Sequence, residues 1–349
     1  MKKEHVFEVV RSLVAILLAM LLGFIVTYLV SKQPGEAFQS FLTGPFTSPR
    51  RFGNLIEAAI PLTFTGLAVS MAFQAAQFNI GAEGQFFFGA TAATIVGITV
   101  PASGWLHPIL ALAVGGVAGA FVGWIPGVLK ARWGASELVS SLMLNYVFFR
   151  VGMYLINYHY RDTTAGAMVS LPLKETSWLT QFLPPTRIHY GIFVAILAVI
   201  FTYLFLYRSR WGYALRMTGL NLPFANYSGI NTTSVITYSQ VISGVVAGIG
   251  GAVEMLGIYH RFQWLALPGY GFDGIIVAIL ARNNPLGIPL AALFLAYLRT
   301  GADIMARTTD VSAEMITVIQ AVMILLVTAQ AFLAGWKHRI VVKEAKQSV

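Results

Sequence analysis

The run IHYGIFVAILAVIFTYLFLY, from Ile188 to Tyr207, carries no Asp, Glu, Lys or Arg. A helix rises about 1.5 Å per residue, so this run matches the roughly 30 Å hydrocarbon core of a bilayer. The length predicts a membrane-spanning helix. Apolar runs of similar length, punctuated by Gly, Pro and charge, recur on both sides of it and place helices at about 7–30, 52–74, 79–98, 106–129, 136–157, 188–207, 234–258, 270–282, 286–306 and 313–336. The fold class is therefore an all-α polytopic membrane protein of about ten transmembrane helices, a single membrane domain over 1–349. The segment 270–282 is short for a span and reads as re-entrant or broken.

Composition agrees. Apolar residues make up 57% of the chain and charged residues 11%, too few polar groups to cover a soluble fold. The net charge of +9 sits in small groups between apolar runs and at the chain ends, a pattern suited to anionic lipid headgroups rather than nucleic acid. There is no cysteine, which excludes disulfides, iron-sulfur clusters and thiolate zinc sites. The apolar stretch Val6 to Val30 is longer than a signal-peptide core, and Tyr28-Leu29-Val30-Ser31-Lys32 offers no cleavage site. An uncleaved first helix is expected.

An even number of spans puts both termini on one side. With that side inside, the inner segments, among them those holding Arg208, Arg210, Arg216, Lys337 and Arg339, carry more Lys and Arg than the outer ones. This bias predicts both termini in the cytoplasm. The longest outer loop, about Tyr158 to His189, contains Pro172, Pro184, Pro185 and Trp178 and reads as holding a short interfacial element.

Two short segments echo one another. Gly81-Ala82-Glu83-Gly84 opens the third helix and Gly271-Phe272-Asp273-Gly274 opens the eighth. An odd offset of five helices makes the two run in opposite directions, as in an inverted repeat with halves at about 52–157 and 234–336. Around the first segment, Asn79, Glu83 and Gln85 are costly in lipid, and flanking glycines permit a backbone break. Glu83 is either held at a helix N-terminus for structural reasons or lines a solute path, and the same choice applies to Asp273. Gly269, Gly271 and Gly274 also spell G-x-G-x-x-G, but without a preceding strand this is no dinucleotide site.

Elsewhere, Gly115, Gly119, Gly123 and Gly127 recur every fourth residue, as do Gly244, Gly248 and Ala252. Such strips are packing faces, because helices in lipid associate by close backbone approach. The inner segment at about 208–231 mixes charge and aromatics and suits either a partner-docking helix or a lipid-surface helix. Glu57, Glu137, Asn145, Glu254, Arg299 and Asp303 are further polar groups within apolar runs; Arg299 and Asp303 are spaced to pair on one face, while Glu254 and Asn145 have no assignable partner. The sequence contains no G-x-x-x-x-G-K-[ST], H-E-x-x-H or G-x-S-x-G, and its six histidines are scattered. Neither an ATPase site, a hydrolase nor a metal centre is expected.

Phe78-Asn79-Ile80-Gly81-Ala82-Glu83-Gly84-Gln85 resembles a segment of ABC importer permeases of the branched-chain amino acid, ribose and nucleoside group, nearest to the nucleoside branch. Gly219 to Ile230 is similar to the G-x-N-x-x-x-A-x-x-x-G-I stretch of that group, and Gly269 to Gly274 followed by Asn284-Pro285-Leu286-Gly287 also agrees. Ser228 and Asn283 depart from the usual residues. The resemblance implies a permease importing nucleosides, such as guanosine, with ribose or another simple sugar as the alternative. It implies a second permease subunit, a cytosolic ATPase that uses ATP and Mg, and an extracytoplasmic binding lipoprotein or periplasmic protein; this chain binds no cofactor itself. The polar groups and the helix breaks place an expected solute path along Phe78, Asn79, Gly81, Glu83, Gly84, Gln85, Asn145, Glu254, Gly271, Phe272, Asp273 and Gly274. ATPase coupling is implied at Arg216, Gly219, Asn221, Ala225, Tyr227 and Gly229, and the location is a bacterial cytoplasmic membrane. An ion-coupled secondary transporter is the rival from another class, distinguished by uptake that follows an ion gradient.

Overall fold

In the computed structural model residues 31–311 are described continuously, with isolated positions between 21 and 28 and between 315 and 321. The helices expected at 7–30 and 313–336 and the tail at 343–349 lie outside this range. Every other expected segment coincides with a helix: α2 (Pro49–Gln74), α3 (Ala82–Thr99), α4 (Leu106–Trp133), α5 (Glu137–His159), α6 (Gly191–Arg208), α9 (Thr232–Glu254), α10 (Tyr270–Leu280) and α11 (Ile288–Thr308). No strand is present among the described residues, only two isolated bridges. Six of the helices, α9 counted with the turn that continues it, are long and apolar enough to cross a membrane. The chain is a multi-pass membrane protein.

Three further helices were not separated by the apolar pattern. α1 (Pro34–Thr43) is too short to register as a span, and its signals are local: Pro34 in the first turn and Glu36 against the helix dipole. The segment expected on the inner side folds as α7 (Arg210–Leu220) and α8 (Leu222–Tyr227), each opened by a side-chain cap. Ser209 accepts the N–H of Gly212 at 2.9 Å and Asn221 that of Phe224 at 3.0 Å. The segment expected as the outer loop holds a single turn at Glu175–Ser177, beside which Trp178 stacks on His260 at 4.0 Å.

The chain forms two compact units. In the first, Met1–Leu55 with Leu293–Val349, the Tyr297 hydroxyl donates to the Leu42 carbonyl at 2.9 Å, and Asp310 accepts the Ser31 hydroxyl at 2.6 Å. The second, Ile56–Ala292, is built on the predicted glycine strips. Gly115 lies on Ala252 and Gly248, Gly119 on Gly244 and Gly248, Gly123 on Gln240, and Gly127 on Thr237. Numbers that rise along α4 and fall along α9 make the pair antiparallel. α3 completes the crossing, with Gly89 on Gly248 and the Phe86 backbone on Gly251. Burial then ranks the helices: 83% of the most apolar window of α2 is covered, against 22% in α6, whose Phe193, Leu197 and Phe201 face outward.

Ahead of α6, the His189 ring wedges against Gly191 and Gly257 and is fully buried. Its Nδ1 accepts the Gly191 N–H at 3.1 Å. Burial first, and then the nearby His260, push its pKa down to about 4 from 6.5. The folded chain therefore binds fewer protons than the unfolded chain between these values, and stability falls as pH drops through that window, by up to about 3 kcal/mol. Denaturation of the detergent-solubilised protein at pH 7.5 and 4.5 should show this loss, and His189→Gln should flatten it.

Candidate functional site

The break after α2 is held by its own polar side chains. Past Ala76, at φ 53°, the chain turns through Gln77 to Gly81 before α3 begins. Asn79 accepts the Gly81 N–H at 2.8 Å and donates to Ser243 at 2.8 Å and Gln85 at 3.3 Å. From α5, Asn145 accepts the Gly84 N–H at 2.9 Å and donates to the Ile80 carbonyl at 3.1 Å. Asn79, Gln85 and Asn145 are fully buried. A backbone interrupted inside an apolar bundle requires such partners, because no water is there to supply them.

The second break meets the first. Gly269 adopts φ +86° and caps α10, and the Glu83 carboxylate accepts its N–H at 2.6 Å and that of Gly271 at 2.5 Å. Gly271 lies directly on the backbone of Ala82 and Glu83, closer than any side chain allows. The first turns of α3 and α10 therefore abut with the Glu83 carboxylate between them, where two helix N-termini favour negative charge. From this junction the helices lead to different places. The Gly97 carbonyl near the end of α3 accepts the Lys174 N–H, in the loop between α5 and α6, at 3.0 Å. Past the end of α10, the Asn283 carbonyl accepts from Ser70 and Gln74, both at 3.0 Å, and Gly219 of α7 rests on the Gln74 backbone. The G-x-G-x-x-G spelling is thus the turn that opens α10, with no strand before it.

The structure brings Asn79, Gly81, Glu83, Gly84, Gln85 and Asn145 together with Gly271 and its neighbours Phe272, Asp273 and Gly274. Asp273 is buried at 6% exposure and Gly274 packs on Thr65, whereas Phe272 is exposed. Phe78 stands to one side, stacked on Phe73 at 5.1 Å. Glu254 joins from the end of α9, accepting the Tyr270 hydroxyl at 3.2 Å. Of the residues expected to couple to an ATPase, Ala225 is buried, Tyr227 is 94% exposed, Gly229 adopts φ +80°, and the Arg216 guanidinium lies over the Tyr207 ring at 4.9 Å.

The sequence matches the family model of the permease component of branched-chain amino acid transport systems over residues 51–328. The chain belongs to that family. It is similar to the guanosine ABC transporter permease protein NupP of Bacillus subtilis, 34% identical over 321 residues, which cover 91% of this chain and 92% of the relative. The glucose ABC transporter permease protein TsgB13 of Haloferax volcanii is 32% identical over 334 residues, covering 91% and 86%. The nucleoside ABC transporter permease protein NupB of Lactococcus lactis is 29% identical over 334 residues, covering 93% and 91%.

Within this permease the sequence reasoning overlooked Ser243, Gln240, Tyr259, Trp264 and Tyr270. Ser243 and Gln240 are both fully buried. Their signal was polarity on the glycine face of α9; the aromatic residues gave none, because their grouping is tertiary. Glu137 is better explained by structure: at the first turn of α5 it pairs with Lys130 at 2.9 Å across the Gly134 turn.

Proposed function

We propose that this permease is the membrane subunit of an ATP-binding-cassette importer that carries nucleosides, purine nucleosides such as guanosine among them, into the cytoplasm by alternating access. The junction of α3 and α10 carries the reading. Helices whose N-termini converge on one buried place, one leading to the outer loop and one to the inner segment, suit the centre of a solute route. Movement at α7 reaches that centre through Gly219 on Gln74 and Gln74 on Asn283. Closure of an ATPase beneath α7 and α8 would then rock α10 against α3.

In this reading Phe78, Asn79, Gly81, Glu83, Gly84, Gln85, Asn145, Glu254 and Gly271 to Gly274 line or gate the route. Arg216, Gly219, Asn221, Ala225, Tyr227 and Gly229 set the coupling surface, where Leu220, Phe224 and Tyr227 stand exposed on short capped helices. The chain forms one membrane domain of about ten transmembrane helices, the short α10 counted among them as re-entrant or broken, arranged as inverted halves at 52–157 and 234–336 with both termini in the bacterial cytoplasm. Its partners are the ATPase, which holds ATP and Mg, an extracytoplasmic binding protein and a second permease. Two guanosine ABC transporter permease proteins of one Bacillus strain, NupP and NupQ, both resemble this chain, which favours an unlike pair. The names of NupP and NupB support nucleosides as cargo, while that of the glucose permease favours a sugar as the second reading.

Proteoliposomes holding the whole complex should accumulate labelled guanosine only when ATP and Mg reach the ATPase. Joint substitution Phe224→Ala and Tyr227→Ala should cut that uptake about tenfold or more, as loss of buried aromatic anchors does at interfaces. Uptake that survives without the ATPase and collapses with an ion gradient would instead make the protein a secondary transporter. Uptake of glucose or ribose without guanosine would leave the importer and remove the nucleoside.

A further inference from the structure

α9 does not end in a cap: at Glu254 it widens into a π-helical turn, Met255–Tyr259, and the chain reverses at His260 with φ 53°. π turns inside helices frequently mark functional sites, since they aim side chains that a regular helix would not. Here the turn presents Glu254 and Tyr259 to α10. Glu254 is 3% exposed, its Oε1 accepts the Tyr270 hydroxyl, and its Oε2 has no partner among the described residues. Aromatic rings surround it. Tyr270 lies 5.3 Å from Phe86, and Trp264 stacks on Phe86 at 5.9 Å and meets Tyr259 edge-on at 5.6 Å.

The charges facing Glu254 do not complete it. Glu57 of α2 lies within electrostatic reach and has the same sign, and the Arg187 cation acts on Glu57 from the outer loop. A buried carboxyl oxygen with no partner, beside a second carboxyl group, is costly unless the pair takes up a proton or something arrives to hydrogen-bond it. Glu57, Tyr259 and Tyr270 are only partly buried, whereas Glu254, Phe86 and Trp264 are buried. The cluster therefore combines ring surface with an unpartnered carboxyl oxygen and partly exposed edges.

We propose that this cluster is a recognition station for the passing solute, in which a planar ring lies along Tyr259 and Tyr270 while hydroxyl groups hydrogen-bond to Glu254 Oε2 and Glu57. A nucleoside has both features: a flat base to stack and vicinal ribose hydroxyls as paired donors. The inference rests on the reading of the permease as a nucleoside importer and adds residues that discriminate among solutes.

The test compares labelled guanosine with 2′,3′-dideoxyguanosine in proteoliposomes of the complete complex. The readout is the ratio of their uptake efficiencies, because the binding protein contributes equally with every permease variant. Glu254→Gln should lower guanosine uptake about tenfold or more and dideoxyguanosine uptake much less, so that the ratio shifts toward one. Glu57→Gln should move the ratio in the same direction. As Glu57 is partly exposed, it carries the test should Glu254→Gln fail to co-purify with its partner subunits. A ratio equal to that of wild type in an assembled Glu254→Gln complex, or in Glu57→Gln when it carries the test, overturns the station while leaving the importer intact. Absence of any nucleoside uptake by the wild-type complex overturns the cargo reading and the station together.

Discussion

Glu83→Ala should reduce uptake to a tenth or less and destabilise the permease by roughly 2–6 kcal/mol, since it strips the acceptor from two buried N–H groups. Both bonds belong to the turn that opens α10, from Gly269 and Gly271. Glu83→Gln should fall between, because a single amide oxygen replaces two carboxylate oxygens that each take one donor. Gly271→Ala approaches the same junction from the other helix: its new methyl would strike the Glu83 backbone, which has no rotamer by which to withdraw. Unfolding in detergent and uptake by the reconstituted complex measure the two effects separately. If Glu83→Ala unfolds and transports like wild type, the carboxylate does not hold the two helix ends together, and the junction loses its place in the route.

That junction shows where sequence reasoning was sufficient and where it stopped. Apolar length, with Gly, Pro and charge as punctuation, located the long helices within the described residues, because crossing a bilayer sets a minimum length for a helix. The Gly-x-acid-Gly echo marked both breaks, since glycine next to an acidic residue in an apolar run has few other uses. The sequence left open whether Glu83 is structural or lines a path, and the geometry shows the structural part: the carboxylate accepts the two N–H groups of the turn that opens α10. Asn145 had no partner assignable by spacing, because the backbone it clamps lies 61 and 65 residues away. Glu137 looked intramembrane, yet the tight turn at Gly134 carries it back to Lys130. At Glu254 the sequence marked the carboxyl group but not its surroundings. Tyr259, Trp264 and Tyr270 are ordinary apolar-run residues until the π turn and α10 converge.

Gly248→Leu should prevent the folded permease from accumulating in the membrane, and Gly248→Ala should lower its stability by about 1–3 kcal/mol, at the upper end of that range. The reason is the absence of any soft neighbour. A methyl on Gly248 would meet the Gly115 carbonyl and the Gly119 Cα of α4, and Gly89 of α3 lies against the Gly248 backbone itself. In a soluble core a crowded side chain rotates aside, but here three main chains touch, so the only relief is to part the helices. Parting them removes the close contact that substitutes for a hydrophobic drive in lipid. Gly35 serves as the control, for nothing lies within 4 Å of a methyl placed there. Gly35→Ala in α1 should therefore leave stability unchanged or raise it by a few tenths of a kcal/mol through helix propensity. Thermal unfolding in detergent decides the matter: equal midpoints for the two alanine variants would mean that the seam of α3, α4 and α9 yields freely, and that the bundle is held by the residues around it rather than by the approach of its backbones.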